Sequence, residues 1–487
     1  MKKFLPLLLS LTTLYADPLI DPSSLSSTTA KYDGNALLLS GHVVLDHNLG
    51  TMHAEEASLE RQEIGKDFPF SLIQLQKEVQ LQLKGGGALQ CANALLDFQS
   101  LTGVLTSSNT EKVIFSDTLV RKNNISIPFR LMSHLIDLEI AKTEQPGNKS
   151  DYTLDKLRAN QDVIIDYANA FTLRADHAEY KNGKEGIKGI VSAFPKNSES
   201  SCLLAHEGDV VEAASVHFDL DSSLLSMDQP TGTLLSSLVP HLQKGSLIFR
   251  SKELIWDHLN ATLTLKGGIQ IEESSLGSLT SDGEVILTQG SLKGKKYLKA
   301  IRATGNNMLQ FTDQTSNQIH TLVSHGSFLL ERDQLSAVLK SPLVDDLVPE
   351  GKQIHYEESE IGIDADTAII DYSIMQSGKL EPASLRLAGN VRIASKDLSK
   401  GERYGLADRL SYSPATQTLI LAADPDQRVL FWDKEQALTV SAQEIHITQD
   451  PGTKKQSVKG VGTVKFSFTQ EEQSLFSRLF TSYTGTE

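Results

Sequence analysis

Residues able to do chemistry are few in this chain, and they recur in the same local setting. Asp176, Asp366 and Asp408 each follow an alanine at the start of a similar short string, and Asp364-Ala365-Asp366 sets two carboxylates two positions apart. Paired carboxylates can act as acid and base on a glycosidic bond, or hold a divalent cation. Recurrence points elsewhere, because a catalytic pair is normally made once, whereas an acid returning in every second or third copy of a repeat suits a turn or a solvent-facing position. His53, His177, His217 and His446 form neither the i, i+4 pair of a zinc helix nor a shared cluster, so surface or cross-strand positions are expected. The run Lys84-Gly85-Gly86-Gly87 lacks the Gly-Lys-Ser/Thr ending of a phosphate loop and reads as a hairpin or bulge. Cys91 and Cys202 are the only thiols; a disulfide stays open, with two buried free thiols favoured because Cys91 takes a small-residue slot. No catalytic residue, metal ion or cofactor is expected.

Around these residues the sequence repeats. A small residue, two variable positions, an aliphatic, one variable position and a large apolar residue return eleven times, at intervals of about 39 residues. Clear copies begin at Ala54, Cys91, Ala175, Ala213, Ser251, Ala365 and Ala407, and looser ones at Ser133, Ser281, Ser324 and Ala442. Several accompany a Gly/Asn/Asp-then-β-branched run: "GHVVL" from Gly41, "QDVII" from Gln161, "GGIQI" from Gly267 and "GNVRI" from Gly389. Short alternating or apolar runs between Gly, Asn, Asp and Pro punctuation predict several strands per unit. Helical periodicity is confined to Leu131 to Ile140, the "LLSSLVPHLQK" stretch and the tail "QEEQSLFSRLF". Pro-containing breaks at "EQPGNKSD", "DQPTGT" and "SPLVDDLVPEGKQ" are the candidate boundaries or long loops. Aromatics are 6% of residues with two tryptophans, too few for a propeller or for the girdles of an outer-membrane barrel. The expectation is all-β: an elongated, open, V-shaped and solenoid-like jellyroll of repeating layers.

The chain has 487 residues, 46 basic against 61 acidic, which makes nucleic acid an unsuitable partner. Lys2 and Lys3 precede an apolar stretch from Phe4 to Tyr15, the pattern of a secretory signal and too short for a membrane-spanning helix. The predicted organisation is a signal peptide at 1–16, a Ser/Thr-rich linker at 17–30, repeats at 31–228, divergent repeats at 245–340, repeats again at 353–470, and a tail at 471–487. Export to the periplasm follows, with outer-membrane association as an extension of it.

The run from Leu385, "LRLAGNVRIASKDLSKGERYGLADRLSYSPATQTLILAA", resembles the OstA-like, LptA-type repeat of the periplasmic lipopolysaccharide-transport family. Gly389, Asn390, Val391, Ala407, Asp408, Tyr412, Leu419 and Leu421 fall on that family's pattern; the block from Tyr32 fits with Glu55 for the acid and Leu59 for the tyrosine. The match is good over about half the chain and poorer between 230 and 350. The resemblance implies a jellyroll whose apolar interior holds acyl chains, without enzymatic activity. Its partners would be lipopolysaccharide or lipid A, other OstA-like jellyrolls joined by edge-strand addition, and the outer-membrane translocon. Val43, Leu45, Leu59, Tyr180, Phe218, Trp256, Ile370, Val391, Ile393, Leu410, Tyr412 and Ile447 are the candidate groove residues, though the same residues could fill a closed core. A secreted β-solenoid enzyme acting on polysaccharide and a structural scaffold are the alternatives.

Overall fold

The structure is a computed structural model. It describes residues 24–480 except 61–69, 110, 121–125, 146–148, 168–170, 184–188, 235–245, 274–276, 293–294, 313–318, 359–360, 375–379, 398–400, 435–436 and 450–455. The signal segment and the "LLSSLVPHLQK" stretch beyond Leu234 therefore lie outside the described residues. Among those described are 39 strands and one helix, Gln470–Phe480. Two compact units divide the chain, Met1–Lys196 and Asn197–Glu487. The division falls inside the span 31–228 that the repeats suggested as one segment.

Each unit is an open, all-β, antiparallel jellyroll whose layers repeat. In the second unit, hairpins alternate between two sheets. The Glu253–Asp257 and Thr262–Lys266 hairpin pairs onward with Glu284–Leu292, skipping the intervening hairpin Ile269–Glu273 and Gly277–Ser281, which belongs to the other sheet. Two hairpins and two crossings make one layer, and this is the physical content of the 39-residue period. In the first unit several strands run through both sheets, turning where the register slips: between Ser40 and Val43, Gln76 and Val79, and Asn160 and Val163.

Every copy of the repeat sits on this corner. Its small residue marks a crossing from one sheet to the other, its aliphatic opens the inward row beside the corner, and its large residue lies two positions further along the same face. The opposing crossings use consecutive residues at positive φ: Gly41-His42, Lys77-Glu78, Gln161-Asp162, Gly267-Gly268 and Gly389-Asn390. Four of these pairs open the "GHVVL", "QDVII", "GGIQI" and "GNVRI" runs. Gly389 shows why its residue type matters: φ is +78° and a Cβ would lie 2.5 Å from an Asp366 carboxylate oxygen.

Three expectations are corrected. Leu131 to Ile140 is not helical but two strands, Ser126–Ser133 and Leu135–Gln145; the crossing at Ser133-His134 flips the phase of apolar alternation and mimics a helical spacing. The looser copies at Ser281 and Ser324 hold one extra residue at the crossing, Gly283 and Gly326, where a Cβ would come within 2.0 and 2.2 Å of a backbone oxygen. Of the proposed linker at 17–30, residues 17–23 lie outside the described residues; Leu25–Ser26 inside it and Thr29–Tyr32 across its end are exposed but pair with Ala36–His47 as edge strands. The break "DQPTGT" is one corner crossing and "SPLVDDLVPEGKQ" another. Cys91 and Cys202 are both free thiols, half-buried and buried respectively.

Candidate functional site

The inward face of one sheet in the second unit carries a continuous cross-strand row. Phe218 pairs with Leu225, Leu225 with Trp256, and the row continues through Leu263, Leu287, Ile301, Leu330, Ala337 and Ile370 to Leu385, Tyr412, Leu419, Ile447 and Val458. Alternation along each strand puts these side chains on one face, and antiparallel pairing stacks them across the sheet. Phe218, Trp256, Ile370, Tyr412 and Ile447, chosen from the repeat, thus meet in one line, which passes without interruption through the divergent copies at Ser281 and Ser324.

Burial divides the row. From Phe218 to Ile370 no member is more than 5% exposed. Leu385, Tyr412, Leu419 and Ile447 are half-buried, and Val458 is 37% exposed. The neighbouring row nearer the corner stays shut through the same layers, with Leu387, Leu410, Leu421 and Ile445 all buried. The facing sheet helps explain the opening. Gly405 presents no side chain to the interior, and a Cβ there would meet Ile393 and Leu421 at an unstrained 3.6 Å. Earlier in the unit, Gly232 also faces inward, but the Phe249 ring fills its place and would lie 2.7 Å from a Cβ. Ile393, on the strand paired with Gly405, is half-buried.

The other candidates are core. Val43, Leu45, Leu59 and Tyr180 in the first unit are 1, 2, 1 and 4% exposed, and Val391 and Leu410 are 1 and 2%. Tyr180 packs on Phe115, ring centroids 5.4 Å apart, and burial followed by the Asp117 charge pushes its phenol up to about 12. That interior closes at its outer side on His47, whose ring lies 4.3 Å from Phe98 and 5.0 Å from Tyr152. Burial, with the nearby Lys84 charge, holds the His47 imidazole down at about 4.

The recurring acids serve the corner. Asn390 Nδ2 donates to Asp366 Oδ2 at 2.7 Å, and the Asp424 backbone N–H donates to Asp408 Oδ2 at 2.7 Å. Asp176 lies 2.8 Å from His177, and Asp364 2.8 Å from His355, which raises that imidazole's pKa. Asp366 and Asp408 thus tie neighbouring crossings together and Asp364 ties neighbouring strands, whereas Asp176 meets the next residue of its own strand. Burial pushes the thiols of Cys91 and Cys202 up to about 12 and 11, leaving neither activated as a nucleophile. Among the described residues no group of three or more His, Cys, Asp or Glu is placed to hold a metal ion.

A cleft of about 620 Å³ lies on the first unit's outer face, with Ser40, Ser58, Gln74, Gln76, Glu56 and Lys31 in its lining. Ala30, Leu38, Leu39 and Ala57 share the lining, so this is a mixed wall rather than a dry apolar seat. Sequence reasoning missed Gly405, whose signal was present: a glycine inside the strand Gly401–Ser413, between Tyr404 and Leu406.

The fold and this face together define an all-β repeat protein with an apolar interior that opens in its last layers. No family model matches the chain, and no curated protein matches it.

Proposed function

We propose that this chain is a non-enzymatic carrier of acyl chains, of the kind that moves lipopolysaccharide through the periplasm to the outer membrane. One observation carries the reading: the inward apolar row loses its cover from Leu385 to Val458, in the segment that bears the "GNVRI" and "ADRLSY" runs. A hydrocarbon laid along Tyr412, Leu419 and Ile447 would leave water at about 0.8 kcal/mol per methylene. The sugar portion would stay outside. Seats in the filled layers would require displacing buried side chains, so binding is assigned to the last layers rather than to all eleven. Among the described residues no helix is long and apolar enough to cross a membrane, a property compatible with an exported protein. Strand addition by a partner jellyroll would use the edge Gln456–Val461, which carries Val458, the last member of the row.

Photo-crosslinking tests this directly. A crosslinker at Tyr412 should capture lipopolysaccharide in cells, whereas one at Trp256 should capture none. Equal capture at both positions, or none at Tyr412, would overturn the assignment.

A further inference from the structure

The end of the second unit holds a device that the carrier reading does not use. The strand Leu438–Ala442 pairs on one side with Val429–Asp433. Its other side is taken by the chain itself. Ser441 N–H donates to Lys465 O and Lys465 N–H donates to Ser441 O, both at 2.8 Å. Beyond this bridge the helix Gln470–Phe480 lies against the outer face of the same sheet, where Phe476 and Phe480 join Tyr404, Leu406 and Leu430 in one buried cluster.

Polar contacts lock the segment down. Arg428 Nε donates to Ser441 Oγ at 2.7 Å, and its Nη2 donates to Thr463 O at 2.6 Å. Ser441 Oγ donates to Glu472 Oε1 at 2.9 Å. Glu472 also accepts from the Thr469 N–H at 2.7 Å while its own N–H donates to Thr469 Oγ1 at 3.2 Å, a reciprocal capping box at the helix start. One carboxylate therefore both starts the helix and anchors it to the edge strand. At the turn, Val464 fills the space beside Gly460, within 2.8 Å of where a Cβ would stand.

The two strand edges at this end differ in sequence. Gln456–Val461, "QSVKGV", carries Lys459 and Gly460, a charge and an irregularity that discourage pairing with a second copy of itself while leaving the edge open to a strand of different sequence. Leu438–Ala442, "LTVSA", has no charge, no proline and no glycine. Bare, it would be a template for another copy of itself, and antiparallel pairing of identical strands about a two-fold axis closes as a dimer.

We propose that residues 462–480 are an intramolecular end-cap, which occupies the Leu438–Ala442 edge and keeps a second copy of this chain from pairing along it. Full-length protein carrying Lys465→Pro, Phe476→Asp and Phe480→Asp loses the bridging N–H and the aromatic anchor. Sedimentation velocity over a hundredfold concentration range should show this variant shifting toward a dimer while the parent does not shift, with the β-sheet circular dichroism retained. Adding Ser441→Pro, which removes the edge donor, should return it to the parent's sedimentation; Ser441→Ala should not. An unshifted release variant would overturn the proposal, as would association that survives Ser441→Pro, because exposed Tyr404 and Trp432 would then be its cause. If the triple variant loses its β-sheet signal, Glu472→Ala alone is read the same way: partial dimerisation supports the cap, and none refutes it.

Discussion

Two stretches of one row, Phe218 to Ile370 and Leu385 to Val458, come from the same repeat and differ in where their aromatic bulk goes. Around the first, Phe218, Trp256, Phe249 and Tyr356 all point inward and are at most 8% exposed. Around the second, Phe431 is buried inside, but Tyr404 and Trp432 on the same pair of strands face outward toward the terminal helix. Rings kept inside complete a core. Rings sent outside, opposite a glycine, leave an apolar face that the described residues do not cover. The same small-x-x-aliphatic-x-apolar string thus builds both a closed core and an open seat.

Truncating the large residue in each stretch gives the widest separation. Trp256→Ala should cost about 3–5 kcal/mol in urea unfolding, because it opens a cavity in a closed interior. Tyr412→Ala should cost no more than about 1.5 kcal/mol, and on the carrier proposal it should also weaken lipid capture. Similar losses at both sites would mean that the two stretches are equally packed.

The closed kind of interior should also respond to acid. His47 in the first unit is held at about 4, below its ordinary 6.5, so the unfolded chain takes up this proton first as pH falls. Stability should therefore be full above roughly pH 6.5 and decline toward pH 4, by up to about 3 kcal/mol. His47→Leu should flatten that part of the profile. A profile unchanged by the substitution would show that the Phe98 and Tyr152 closure does not hold a neutral imidazole.

Filling the open seat is the gentlest perturbation. Gly405→Leu places its Cβ at ordinary contact distance from Ile393 and Leu421 and aims the rest of the side chain at the open layers, so stability should stay within about 1.5 kcal/mol of the parent. Lipid capture at Tyr412 should nevertheless fall several-fold. Retained capture in a folded Gly405→Leu protein would move the seat away from this face.

Much of the corner was legible. A pair of residues that tolerates positive φ, followed by a β-branched residue, marks a tight turn between strands, and "GHVVL", "QDVII", "GGIQI" and "GNVRI" all proved to be crossings. The fifth, Lys77-Glu78 before Val79, was missed because neither residue is a turn former, although the Val-x-Leu continuation matches. The corner role of the acids was only half legible. Their recurrence argued against catalysis, but the partners Asn390 and Asp424 N–H come from the next crossing and cannot be paired from spacing alone.

By itself the sequence determined the strand class, the layered period and the inward parity of the large apolar residues, because these depend on local turn chemistry and a two-residue alternation. Only the tertiary structure decided which inward positions are filled. Phe218 and Tyr412 occupy the same slot of the repeat, and their difference in burial is set by the layers around them. The facing sheet contributes a Phe249 ring in one place and the bare Gly405 in another, and the terminal helix covers Tyr404 and Trp432 on the opposite face. Burial depends on residues distant in the chain, which no local pattern encodes.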